Sequence, residues 1–144
     1  MPWRKLRCES SKENMMQTKT VQQAVPASDV ASVCETLKRG LEARDAEVAA
    51  SVYANDAEMV VVNRNYPPSH PMVRKGRSAV QELYRDVCSR EMTHKITATV
   101  VGPNSFAMRE SCLYPDGCRV VGHFIAELQD GKIIRQFNVD CWDE

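Results

Sequence analysis

At 144 residues the chain is long enough for one domain with a real core and too short for two comfortable ones. Nineteen Lys and Arg balance nineteen Asp and Glu, so no overall field recruits nucleic acid or an anionic membrane. No apolar run approaches the roughly 18 residues that span a bilayer and the N-terminus lacks the apolar stretch of a secretory signal, so the expected compartment is the cytoplasm.

The first 28 residues carry five basic and two acidic side chains, are rich in Ser, Gln and Lys, and have almost no hydrophobic periodicity. That composition predicts a disordered extension, with a single domain over residues 29–144. Order is expected to begin at Ser28, a plausible helix cap, because Val30, Val33, Cys34, Leu37 and Leu41 recur at helical spacing; Gly40 marks where that helix should fray. A shorter helix follows, capped by Asp45, with Val48, Ala49, Val52 and Tyr53 inward. Residues 57–63, AEMVVVN, are β-branched and read as a strand. NYPPSHP, with three prolines in five positions, cannot be regular and is expected to form a loop or lid.

GRSAVQELYRDVCS sets Val80, Leu83, Tyr84, Val87 and Cys88 on one helical face. Four strands then follow with no helix between them: about 93–101, 105–114, 119–127 and 132–141, joined by turns at GPN, YPDG and QDG. Helices segregated before a meander of strands predict an α+β domain with one curved, mainly antiparallel sheet and about three helices on its concave face. The six cysteines show no C-x-x-C pair and no His at ligand spacing, so they read as reduced thiols, mostly buried, and no metal site is expected.

Turn chemistry lets the strands be set in register. Asp130-Gly131 is the pair favoured in a two-residue hairpin turn; it places Gln129 opposite Lys132 and, if pairing continues unbroken, His123 opposite Asn138. Alternation would then put Gln136, Asn138 and Asp140 on one face with His123. Turning YPDGC at Pro115 to Gly117 sets Arg109 opposite His123, which completes a polar row of Arg109, His123 and Asn138 across three strands. A cation, an imidazole, an amide and a carboxylate in one patch suit binding a carbonyl or enolate and moving a proton. The other face would carry Phe106, Met108, Val120, Phe124, Phe137 and Val139, and an exposed apolar patch of that size marks an interface, here expected to be a homodimer.

The element order, YANDAEMVVV after the second helix, the GRSAV helix start and the terminal hairpin DGKIIRQFNVD together resemble the SnoaL-like branch of the nuclear transport factor 2-like superfamily, over about residues 29–144. The resemblance implies a cone whose helices close over the concave side of the sheet around a pocket. It also implies cofactor-free chemistry such as isomerisation, dehydration or cyclisation, and dimerisation through the convex side. In pocketed members the residue seven places after the turn Gly points into the cavity, commonly as a catalytic Asp; here that place is Asn138, and an amide cannot act as a general base. His123 lies where cyclase-type members carry a His opposite their Asp. The expected catalytic groups are therefore Asp140 and His123, with Asn138, Arg109, Tyr84, Trp142 and Gln136 contacting a small organic molecule, and no metal or cofactor. Loss of the usual acid at 138 equally fits a non-catalytic ligand-binding or dimerisation module.

Overall fold

The computed structural model describes residues 27–144; the predicted N-terminal extension lies almost wholly outside the described residues. Three helices precede or interrupt a six-stranded sheet. Helix α1 (Ala27–Glu42) buries Val30, Cys34, Leu37 and Leu41, the stripe that its spacing predicts. It does not fray at Gly40. That residue lies where α2 (Ala46–Ala50) crosses, and a Cβ there would come within 2.6 Å of the Ala49 backbone nitrogen, so the glycine serves close helix packing. Asp45 caps α2 as expected, its carboxylate accepting from the Val48 amide at 3.0 Å.

Strand β1 (Tyr53–Val62) begins four residues earlier than the β-branched run predicts, which moves Tyr53 from a helix into the sheet. The proline loop ends in a short strand that the sequence reading lacks, β2 (Met72–Lys75), paired antiparallel to β1 with Val60 opposite Val73. Helix α3 (Arg77–Ser89) follows, burying Val80 and Tyr84. Strands β3 (Thr93–Val101), β4 (Ser105–Leu113), β5 (Arg119–Gln129) and β6 (Lys132–Trp142) form the antiparallel meander, and β1 joins its open side parallel to β6. The resulting order is β2-β1-β6-β5-β4-β3.

The helices cover one face of this sheet. Leu37, Val80, Met59, Phe106, Phe124 and Ile133 meet in the core between them, with Phe106 and Phe124 edge to face at 6.4 Å between ring centroids. The opposite, convex face carries an exposed apolar band: Val100, Val121, Ile125, Phe137 and Val139 are all exposed.

The β4–β5 register is the predicted one, with Arg109 opposite His123 and Ser111 opposite Val121. The β5–β6 register is not. Asp130 and Gly131 form the expected turn, both at positive φ, and Gln129 faces Lys132 and Leu128 faces Ile133. The next pair is Glu127 with Arg135, so Ile134 is the extra residue of a β-bulge. Every later partner shifts by one: His123 faces Val139 and Asn138 faces Phe124.

This single inserted residue corrects several expectations together, because a one-residue slip moves a side chain to the other face. His123 and Arg109 lie on the exposed convex face, away from Asn138, and Arg109 donates through Nε to the Thr97 hydroxyl at 2.9 Å. Phe106, Met108 and Phe124 are buried under the helices rather than on the outer face, where only Phe137 and Val139 of the predicted patch remain exposed. Among the described cysteines only Cys34 and Cys112 are buried, against the expectation that most would be.

Candidate functional site

Between α3, the loop after β1 and the wide end of the sheet lies an open cavity of about 610 Å³. Its lining includes Asn138, Asp140 and Trp142 from β6, Glu110 and Cys112 from β4, and His94 from β3. Of the predicted site residues, Asn138, Asp140, Trp142 and Tyr84 therefore meet in one cavity, and Gln136 lies directly beneath it. Arg109 and His123 do not reach it.

Asn138 is held from below by a hydrogen-bonded chain. Tyr53 donates to Gln136 Oε1 at 2.5 Å, and Gln136 Nε2 donates to Asn138 Oδ1 at 2.9 Å. The only proton of the Tyr53 hydroxyl is thus committed, so Tyr84, 2.5 Å away, donates to Tyr53. The chain runs in one direction, from Tyr84 through Tyr53 and Gln136 to Asn138. With its carbonyl already accepting, Asn138 has its amide N–H groups left as donors. Burial pushes the phenols of Tyr53 and Tyr84 above the usual range, so both remain protonated and fit this polarity.

Asp140 stands two residues further along the same face. Its row, read across the sheet, is Asp140, Gly122 and Glu110. Gly122 matters because a Cβ there would lie 2.8 Å from Asp140 Oδ1: the carboxylate leans over the bare backbone of β5. Burial, and then the charge of Glu110, push the Asp140 carboxyl up to about 6, while a hydrogen bond from the Asn63 side chain pulls it back part of the way. Asn63 is itself fixed by the loop after β1, since its Oδ1 accepts from the backbone of Asn65 and Tyr66 at 2.9 and 3.0 Å, which leaves its NH2 to donate to Asp140.

Besides Asn63, the sequence reading missed a group of three lining residues. His94 and Cys112 are directly opposed on β3 and β4, and Glu110 lies two residues before Cys112 on the same face. Glu110 Oε1 is 2.6 Å from His94 Nδ1, and Cys112 Sγ is 3.4 Å from the same nitrogen. Spacing along the chain hides this group, because His94 and Cys112 are 18 residues apart in sequence and are neighbours only across a hairpin. Burial, reinforced by Glu110, pushes the Cys112 thiol up, so it stays protonated.

Fold and cavity together define an α+β cone with a helix-covered pocket on the concave side of its sheet, the nuclear transport factor 2-like architecture. A model of the SnoaL-like domain matches residues 35–136, and the chain belongs to that family. Solved structures agree on the fold. An NTF2-like protein of unknown function from Mesorhizobium loti superposes with a TM-score of 0.70 at 16% identity, covering 80% of this chain and 93% of that one. A proposed ketosteroid isomerase from Kribbella flavida gives 0.67 at 19% identity, covering 81% and 79%. An NTF2-like protein of unknown function from Burkholderia xenovorans gives 0.64 at 15%, covering 81% and 84%. At these identities the likeness establishes the fold alone. A search of curated proteins found no significant match.

Proposed function

We propose that this protein binds a small carbonyl compound in the concave cavity and transfers a proton at the carbon next to the carbonyl, as an isomerase, dehydratase or cyclase without a redox cofactor. The observation that carries the reading is Asp140: a half-buried carboxyl lining a cavity, raised to about 6, and therefore ionised near neutral pH yet basic enough to take a proton. Asn138 supplies the other half of the chemistry. A residue two places along a strand lies roughly 7 Å away, which lets a carbonyl oxygen accept from the Asn138 amide while its α-carbon approaches Asp140. Proton abstraction builds negative charge on that oxygen, and the oriented amide donor stabilises it; Asp140, now protonated, returns the proton to a different carbon. The Kribbella flavida protein of the same fold is a proposed ketosteroid isomerase, which is consistent with carbonyl chemistry in this type of pocket.

Substituted phenols test the binding half of this reading, since a phenolate imitates an enolate in shape and charge. Titration followed by NMR is expected to move the Asn138 side-chain amide resonances first. Saturable shifts confined to the convex face would refute the site.

The same reading includes a homodimer through the convex face. Ile125 at 58% exposure and Phe137 and Val139 at 49% each form an apolar band over β5 and β6, and bands of this kind mark interfaces in soluble proteins. His123 and Arg109 lie on that face and become polar members of the interface rather than of the active site.

A further inference from the structure

We infer that His94, Glu110 and Cys112 form a binding site for a divalent cation of the zinc class in the cavity wall. Their ligand atoms all lie within 4.8 Å of one another. The strand pairing makes the group a built feature: His94 and Cys112 are directly opposed, Glu110 shares their face, and all three line the cavity. The His94 side chain is 1% exposed and that of Glu110 17%, so the donors are held by packing and still open to the cavity through the carboxylate.

The distances suit such an ion. Two ligands on tetrahedral zinc, one sulfur and one imidazole nitrogen, lie roughly 3.5 Å apart, and Cys112 Sγ to His94 Nδ1 is 3.4 Å. The His94–Glu110 contact at 2.6 Å is a hydrogen bond, with a proton where the metal would sit. The ion takes the place of that proton, and the pair opens by about 0.8 Å to reach ligand spacing. On binding, the Cys112 thiol releases its proton to solvent and the imidazole carries its one proton on Nε2. The ion thus replaces the hydrogen bonds that His94 and Cys112 make to Glu110, and the proton moved to buried Nε2 displaces no partner there.

Charge points the same way. Among the described residues Glu110 is hydrogen-bonded to His94 and to the Cys112 thiol, and no Arg or Lys forms an ion pair with Glu110 or Asp140, the two carboxylates of this wall. Two cations line the rest of the cavity: Arg90 is paired with Asp86 and donates to Tyr114, and Arg74 of β2 makes no ion pair with Glu110 or Asp140. The strand wall itself, with two carboxylates, a thiol and an imidazole, contributes no Arg or Lys to the cavity lining, and a dication bound there supplies positive charge at its ligands. One thiolate, one imidazole and one carboxylate select zinc over magnesium or calcium, which prefer oxygen alone. Three protein ligands leave a fourth position for water or a bound molecule from the cavity.

Cobalt(II) is the probe. The full chain, stripped with a chelator, is expected to bind one equivalent with a thiolate-to-cobalt charge-transfer band and the intense visible bands of a four-coordinate ion, all displaced by zinc. Cys112→Ser is expected to abolish the charge-transfer band, and Glu110→Gln to weaken binding by about tenfold or more. Cys118→Ser and Cys141→Ser are expected to leave both unchanged. Because a core variant can fail to fold, the wild type gives a second readout: in NMR, zinc is expected to shift the His94 ring resonances and leave those of His123, on the convex face, in place. Absence of stoichiometric cobalt binding, a charge-transfer band that survives Cys112→Ser, or His94 ring resonances that stay in place in saturating zinc would each overturn the site and leave His94 and Glu110 as a hydrogen-bonded pair only.

Discussion

Replacing Asp140 by Asn is expected to stabilise the fold at neutral and alkaline pH. The Asp140 carboxyl is raised from 3.8 to about 6, which corresponds to at most about 3 kcal/mol of preference for the protonated form in the folded state. The sign follows from that direction. The folded chain holds this proton more tightly than the unfolded one, so the contribution is fully present below about pH 4 and is lost as pH rises through 6. Above 6 the wild type must keep an ionised carboxylate beside Glu110 in a partly dry cavity. The isosteric amide removes that cost, and because the cavity is open to solvent the gain is expected to be screened to about 1–2 kcal/mol. Urea unfolding of both proteins in the presence of a chelator, at about pH 4, 6 and 8, measures the difference. Glu110, His94 and Cys112 of the same wall, Asn63 of the loop, Arg74 of β2, Asp86 of α3 and Arg90 just after it are common to both proteins, so the difference between the two curves isolates residue 140 and its coupling to these groups. A stability gap that stays constant across the range, or a variant that is less stable at high pH than at low pH relative to wild type, would refute the reasoning.

Gly122→Ala places a Cβ 2.8 Å from Asp140 Oδ1 and is expected to destabilise by about 1–3 kcal/mol in urea; combined with Asp140→Ala the cost is expected to shrink, since the clash is with that carboxylate. Tyr53→Phe removes the hydroxyl between Tyr84 and Gln136 and is expected to cost about 1–3 kcal/mol, because two buried polar groups lose their partner. Phe137→Glu on the convex face is expected to give a folded monomer by sedimentation and circular dichroism, whereas Phe124→Glu is expected to prevent folding by burying an unpaired charge under the helices.

The architecture was legible because its signals are local and periodic. α3 and the meander announce themselves through one apolar face and through turn residues that fix strand order, and the observed bounds of β3 are the predicted ones. The face of β6 was legible for the same reason: alternation alone puts Gln136, Asn138 and Asp140 together. The partner strand was not, because Ile134 looks like any strand residue and nothing in Lys132-Ile133-Ile134-Arg135 marks which isoleucine is extra. Glu110 was lost to the same slip, since setting Arg109 and His123 inward turns Glu110 outward. Burial carried a signal that went unused: in FAMRESC the apolar Phe106, Met108 and Cys112 share a face with Glu110, which is the pattern of a core strand with one acid facing in. Strand β2 was masked by prolines that end just before it, and its four residues are too few to show a period.

Solvent hydrogen exchange tests most directly whether Asp140 is the base of a proton-transfer site. A panel of small cyclic ketones in deuterated buffer, followed by NMR, is expected to show protein-catalysed exchange of the α-protons of at least one member. The rate should rise with pH through about 6 and level off above it, as the Asp140 carboxyl ionises. Asp140→Asn is expected to lower that rate by about 10²-fold or more while leaving the phenol-induced shift of the Asn138 amide in place. An exchange rate unchanged in Asp140→Asn, or no exchange of any ketone by a wild type that binds phenols, would contradict the account and leave a ligand-binding module in its place.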